Sequence, residues 1–235
     1  AHVGMGIVGK EGQQASMASD FSITKFYHCH RLMLWHGRNA FWRSARTCLF
    51  VFYRGFINAI IQCIFVALFY WVPIQLYQGW LLIGYSSYYT TLPVTTFCLD
   101  VELPEKVVYL YPELYKVTKK GRCINMKAFL IWLFISVYQG FVVMCFGVYL
   151  FKGSIINIVA ITYTAMVLLN LVEIADEIQT WTSLMLMAQS VTISMYLYSM
   201  FILRQQFDVA FVFTIEFMWK TGAIIIIAWF EKIQI

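Results

Sequence analysis

The chain has 235 residues, of which 61% are apolar, 18% aromatic and only 12% charged, with a formal net charge of +5 and a mean hydropathy of +0.70. Soluble domains carry about a quarter charged residues, so the composition excludes a water-soluble globular protein and indicates an all-α polytopic membrane protein. A membrane span needs about twenty mostly apolar residues, and six runs reach that length: Leu49–Val72, Gly79–Leu99, Ala128–Phe151, Ile155–Ala175, Ser183–Leu203 and Val209–Phe230.

Residues 1–26 open with "AHVGMGIVGKEGQQASMASDF", which predicts a short strand over Val3–Val8, a glycine turn and a helix from about Glu11. This is a β-α fragment of a doubly wound sheet. Gly4, Gly6 and Gly9 have dinucleotide-fingerprint spacing, but they lie within the strand and no acid follows at about twenty positions, so the pattern is weak. The segment lacks the basic start and apolar core of a signal peptide. Without an initiator methionine, the chain reads as a fragment.

Residues 27–48 form a helical connector too short to own a core. Its His28, Cys29, His30 and His36 alternate sides of a helix, which suits packing better than a metal site with convergent ligands. The six cysteines are scattered without a C-x-x-C pair, and read as reduced packing residues. No histidine lies beyond residue 36, so histidine chemistry inside the membrane is excluded.

The membrane domain, residues 49–235, begins with a span that holds Arg54 about five residues in. The arginine either snorkels to the interface or faces a wet path. The second span contains "GYSSYYTTLP", in which seven of ten residues carry a hydroxyl before Pro93. Hydroxyls on every face must meet water, another span or a polar cargo, and Pro93 frees the carbonyl of Tyr89. Broken polar helices of this kind mark transport paths. Tyr85, Ser86, Tyr89, Thr90, Thr91 and Pro93, with Arg54, are the candidate substrate path.

The loop 100–127 carries six lysines and arginines, which with Arg38, Arg43 and Arg46 places both termini in the cytosol. This basic charge reads as a topology signal and not as a nucleic-acid site. Further on, Glu173, Asp176 and Glu177 share a helical face. They form either a vestibule or, on the reading preferred from sequence, the interfacial end of the fourth span. Glu216 and Lys220 are spaced to neutralise each other on the sixth span.

These segments resemble the P-type ATPases. The opening residues resemble the last strand and helix of the phosphorylation domain, and "LLIGYSSYYTTLPVTTFCLD" resembles the sixth membrane helix of the type IV branch, the phospholipid flippases. "LWHGRNAFWRSA" (34–45), "LYQGWLLIGY" (76–85), "YPELYK" (111–116), "FLIWLFISVYQG" (129–140), "FDVAF" (207–211) and "FMWK" (217–220) resemble the subgroup of the yeast neomycin-resistance flippase and the mammalian class 2 flippases. The resemblance implies six spans equivalent to the fifth to tenth of ten, preceded by a remnant of the phosphorylation domain. It also implies ATP and Mg2+ for the complete protein, with none bound by this chain, because the phosphorylated aspartate and hinge motif lie upstream and no catalytic residue lies here. The partners implied are a phospholipid substrate, the membrane and the N-terminal half of the same ATPase, with no required accessory subunit. The location implied is Golgi or endosomal membranes. Asn170, where the family often has glutamate, and Glu173 form a possible vestibule, while Arg54-Gly55 and Ser86 depart from the branch's usual Lys-Asn and Asn. Two other readings of the six spans are a secondary transporter or channel, and a non-catalytic scaffold in which the hydroxyls join helices.

Overall fold

The computed structural model describes residues 3–9, 13–71, 73–119, 124–150, 154–203 and 206–230. In chain order the elements are β1 (Met5–Ile7), α1 (Gln13–Met17), β2 (Phe21–Ile23), α2 (His28–Arg31), α3 (Arg38–Leu68), α4 (Gly79–Ile83), α5 (Thr91–Thr95), α6 (Glu105–Leu110), α7 (Tyr115–Lys119), α8 (Met126–Leu150), α9 (Ile155–Glu177), α10 (Ser183–Ile202), α11 (Val209–Val212) and α12 (Ile215–Phe230). π-helical turns at Leu32–Gly37 and Gly84–Tyr89 precede α3 and α5. The chain divides into two compact units, Ala1–Ser44 with Val101–Cys123, and Ala45–Asp100 with Ile124–Ile235.

In the first unit β1 and β2 pair in parallel, Met5 opposite Phe21 and Ile7 opposite Ile23, with α1 in the crossover. The strand is shorter than the expected 3–8, and the expected helix start near Glu11 lies outside the described residues. β2 goes beyond the sequence expectation, because three residues are too few for an alternating pattern to be read. The Gly4 amide donates to Asp20 Oδ2 at 2.8 Å, so this N–H of the glycine pattern is used within the unit. The histidines pack: His28 Nδ1 lies 3.2 Å from Thr24 Oγ1, and His30 stacks on Tyr109 with ring centroids 5.2 Å apart. Arg31 and Arg38 pair with Glu105 and Glu102 at 2.9 and 2.8 Å. No metal-ligating cluster of three occurs among the described residues.

In the second unit α9 occupies the centre. Ala160, Ile161, Tyr163, Ala165, Met166, Leu169, Glu173 and Ile174 on it are all fully buried, as expected for a helix that is apolar on every side. α8 packs closely on it: a Cβ at Gly147 would lie 2.7 Å from Thr162 Cγ2, and one at Gly140 would lie 2.9 Å from Ile60 Cγ2 on α3. These glycines let the helix backbones approach. The outer faces of α8, α10 and α12 stay apolar and exposed, with Phe134, Phe141, Leu186, Leu197 and Ile226 among them, as lipid contact requires. Beyond α3, Tyr70 and Trp71 adopt positive φ of 56° and 60°, and the Trp71 amide closes the helix end on the Val66 carbonyl at 2.8 Å. Both rings are exposed, as in the aromatic belt of a membrane interface.

Four stretches are long and apolar enough to cross a membrane: His28–Leu68, Met126–Leu150, Ile155–Glu177 and Ser183–Ile202. The other two expected runs are not single uniform α-helices. The Gly79–Leu99 run is divided into α4, a π turn, α5 and a 3-10 turn at Thr96–Cys98. The 209–230 run is divided at residues 213–214, because the Thr214 hydroxyl accepts the Phe217 amide at 3.3 Å and caps a new helix there. The cysteines are also less packed than expected: Cys48, Cys63 and Cys98 are exposed, and the described cysteines are free thiols.

Candidate functional site

The hydroxyl-rich break lies at the junction of the π turn and α5. Gly84 admits it, since a Cβ there would sit 3.1 Å from Tyr89 Cε2. Pro93 is the third residue of α5, in a first turn whose amides have no intrahelical acceptor, so its missing N–H costs little there. The helix therefore changes type about a turn upstream of the proline and not at it.

Side chains take up the carbonyls at this junction. Thr90 Oγ1 donates to the Tyr85 carbonyl at 2.8 Å, Thr91 Oγ1 to the Ser86 carbonyl at 2.9 Å, and Ser86 Oγ back to the Leu82 carbonyl at 3.1 Å. The hydroxyls of Ser86, Thr90 and Thr91 thus serve their own backbone, while Ser86, Ser87, Tyr88 and Thr91 remain exposed. Arg54 of α3 supplies the outside donor. Its Nη1 lies 2.6 Å from Thr90 Oγ1 and 3.2 Å from the Ser86 carbonyl. Both contacts turn Arg54 toward the 86–90 stretch. Among the described residues no carboxylate is within ion-pairing distance of it, so a half-buried cation rests on neutral oxygens.

Tyr85 extends the site inward. Its hydroxyl donates to the Arg54 carbonyl at 3.3 Å and accepts from Asn170 Nδ2 at 2.8 Å. Tyr89 stands edge-on to Tyr196 and Tyr163, with centroids 5.3 and 6.3 Å away. Glu173, one turn beyond Asn170 on α9, is fully buried. It accepts from Gln139 Nε2 at 2.7 Å, and Gln139 Oε1 in turn accepts from the Tyr53 hydroxyl. α9 runs on to Glu177, which puts Glu173 a turn inside its end and packed within the unit, while Asp176 is exposed. Gln139 was not singled out in the sequence, although a lone amide in the apolar run 129–151 was a usable signal.

A third polar group closes one end of the unit. Asp100 Oδ1 accepts from the Thr180 amide and hydroxyl at 3.0 and 2.7 Å, and Oδ2 accepts from Arg46 Nη1 at 3.2 Å. Arg46 also donates to the Glu177 carbonyl at 2.9 Å. On α12, Lys220 pairs with Glu216 and donates to the Leu150 carbonyl at 3.3 Å.

The profile of the family described as Phospholipid-translocating P-type ATPase C-terminal matches residues 16–231. The chain is 44% identical over 228 residues to the probable phospholipid-transporting ATPase IIB of Bos taurus, covering 97% of this chain and 20% of that protein. It is 42% identical over 224 residues to the probable phospholipid-transporting ATPase tat-5 of Caenorhabditis elegans, covering 95% and 21%. Against the phospholipid-transporting ATPase NEO1 of Saccharomyces cerevisiae the identity is 41% over 220 residues, covering 92% and 19%. The chain spans about a fifth of the length of these curated relatives. With a profile match over nearly its whole length, the chain belongs to the phospholipid-translocating P-type ATPases, within their C-terminal region.

Proposed function

We propose that the chain is the C-terminal membrane half of an ATP-driven flippase that moves phospholipid from the exoplasmic or lumenal leaflet to the cytosolic one. Arg54 would meet the lipid phosphate at the break. The observation that carries this reading is the Arg54 guanidinium held against Thr90 Oγ1 at 2.6 Å and the Ser86 carbonyl at 3.2 Å. A cation inside a span marks a functional path by default, and one satisfied by neutral oxygens retains its charge for an anion. The hydroxyls hold the broken backbone, and the arginine supplies the charge. Asn170 and Glu173 form the inner wall behind Tyr85.

On this reading the broken run 79–98 and the split run 209–230 count as spans. The six spans are then the fifth to tenth of ten, and residues 1–26 close an upstream phosphorylation domain. ATP and Mg2+ act in that upstream part, no accessory subunit is needed, both termini are cytosolic and the protein resides in Golgi or endosomal membranes. The relatives' names, which specify phospholipid transport, support the substrate class.

The test is Arg54→Met in the full-length protein. Hydrogen bonds to a charged group contribute about 1.5–3 kcal/mol, so lipid-stimulated ATPase activity per folded molecule should fall at least about tenfold, beyond any loss of stability from the Thr90 and Ser86 contacts. Parental lipid stimulation combined with lowered stability would instead make the Arg54 cluster a helix joint, with the lipid path elsewhere.

A further inference from the structure

Arg54 is the first member of a polar row on α3. Asn58 and Gln62 follow at i+4 and i+8, and all three are half-buried, beside the fully buried Tyr53, Ile57 and Ile61. The two ends of the row are engaged with the same stretch of chain. Arg54 bonds Ser86 and Thr90. Gln62 Nε2 donates to the Ile74 carbonyl at 3.0 Å, and Gln62 Oε1 accepts the Leu76 amide at 2.9 Å. Between them, Asn58 Oδ1 is buried and has no hydrogen-bond partner among the described residues.

An amide oxygen left without a donor costs about 1–3 kcal/mol, and in a span no bulk water offsets it. We infer that Asn58 is a specificity-determining residue of the headgroup path, accepting a hydrogen bond from a headgroup N–H as the lipid passes between Gln62 and Arg54. The inference rests on the flippase reading above. Gln62 is a positioning residue, holding the 74–76 loop where the row begins. With the break closed against α3, Asn58 is dry and unmatched, and it gains a partner only in the occupied state. Such an interaction favours turnover over resting stability. A quaternary headgroup has no N–H to offer Asn58 and gains nothing from it.

The test uses the full-length protein in detergent with ethanolamine or choline phospholipid of the same acyl chains. The readouts are the half-activating lipid concentration, the maximal ATPase rate and the thermal midpoint. Asn58→Leu should lower the preference for ethanolamine over choline about fivefold, the equivalent of one hydrogen bond, with an equal or higher midpoint because the orphan acceptor is gone. Asn58→Thr, which keeps an acceptor near the same depth, should retain most of the preference. Unchanged discrimination in both variants, with Arg54→Met still losing lipid stimulation, would overturn the role of Asn58 and leave the flippase reading intact. Parental behaviour in all three variants would overturn the role of Arg54 in the path as well. If Asn58→Leu fails to fold, Asn58→Thr decides: loss of preference equal to that of Asn58→Ala would overturn the proposal.

Discussion

α9 and the 79–98 run are similar in length, and both carry hydroxyls, yet one is α-helical throughout and the other changes helix type at a π turn and again at its 3-10 end. On α9, Thr162 and Thr164 donate to the Ile158 and Ala160 carbonyls at 2.8 and 2.6 Å, adding second bonds to carbonyls inside a continuous helix. In the 79–98 run, Thr90 and Thr91 donate to carbonyls at the junction of two helix types, and Arg54 joins them from another helix. Hydroxyl content alone therefore does not mark a site. Displaced backbone acceptors with a charged donor aimed at them do.

The largest effect that would sharpen this contrast lies where α8 meets α9. Gly147→Val forces methyl groups onto Thr162, where even a Cβ would be 2.7 Å from Cγ2. The thermal midpoint of the full-length protein should drop by the equivalent of about 1–3 kcal/mol. An unchanged midpoint would mean that α9 is not the rigid wall described above.

Next comes the buried acid. Glu173→Leu leaves the Gln139 Nε2 donor without its acceptor, at a cost of about 1–3 kcal/mol, whereas Glu173→Gln keeps an acceptor and should stay within about 1 kcal/mol of the parent. Chemical denaturation of the two variants side by side checks the difference. Equal losses would indicate that the negative charge itself, and not the hydrogen bond, stabilises the cluster.

The smallest effect addresses the comparison most directly. Thr91→Val removes a donor from the Ser86 carbonyl and should cost about 1 kcal/mol, while Thr162→Val on α9 should fall within about 0.5 kcal/mol of zero, since its carbonyl sits in a continuous helix. Equal costs would erase the distinction between the two regions.

The helices α8, α9 and α10 were legible as apolar runs, with ends within about two residues, the scatter usual for helix boundaries. The start of α3 was not, because hydropathy reports where lipid begins. Arg38, Asn39 and Arg43 continue the helix outside the apolar run. Pro93 announced the break, but its position depended on where α5 begins, which local sequence does not fix. The split before α12 had a local signal, a threonine cap, hidden by the apolarity around it. Arg54, Ser86 and Thr90 could be nominated singly, whereas the pairing of Tyr85 with Asn170, 85 residues apart, depends on helix packing that periodicity does not encode. Asn58 and Gln62 lay at helical spacing from Arg54, but spacing showed neither that one was satisfied nor that the other was not.

The Asp100 carboxylate has an electrostatic consequence. It ties the far end of the 79–98 run to Arg46 of α3 and to Thr180 after α9 through charge. The near end is tied by neutral groups alone: Gln62 holds the Ile74 carbonyl and the Leu76 amide, Gln206 donates to Gln78 Oε1 at 2.7 Å, and the Tyr163 hydroxyl donates to the Leu81 carbonyl at 2.9 Å. The two ends therefore respond differently to pH and salt, since only the Asp100 end depends on an ion pair.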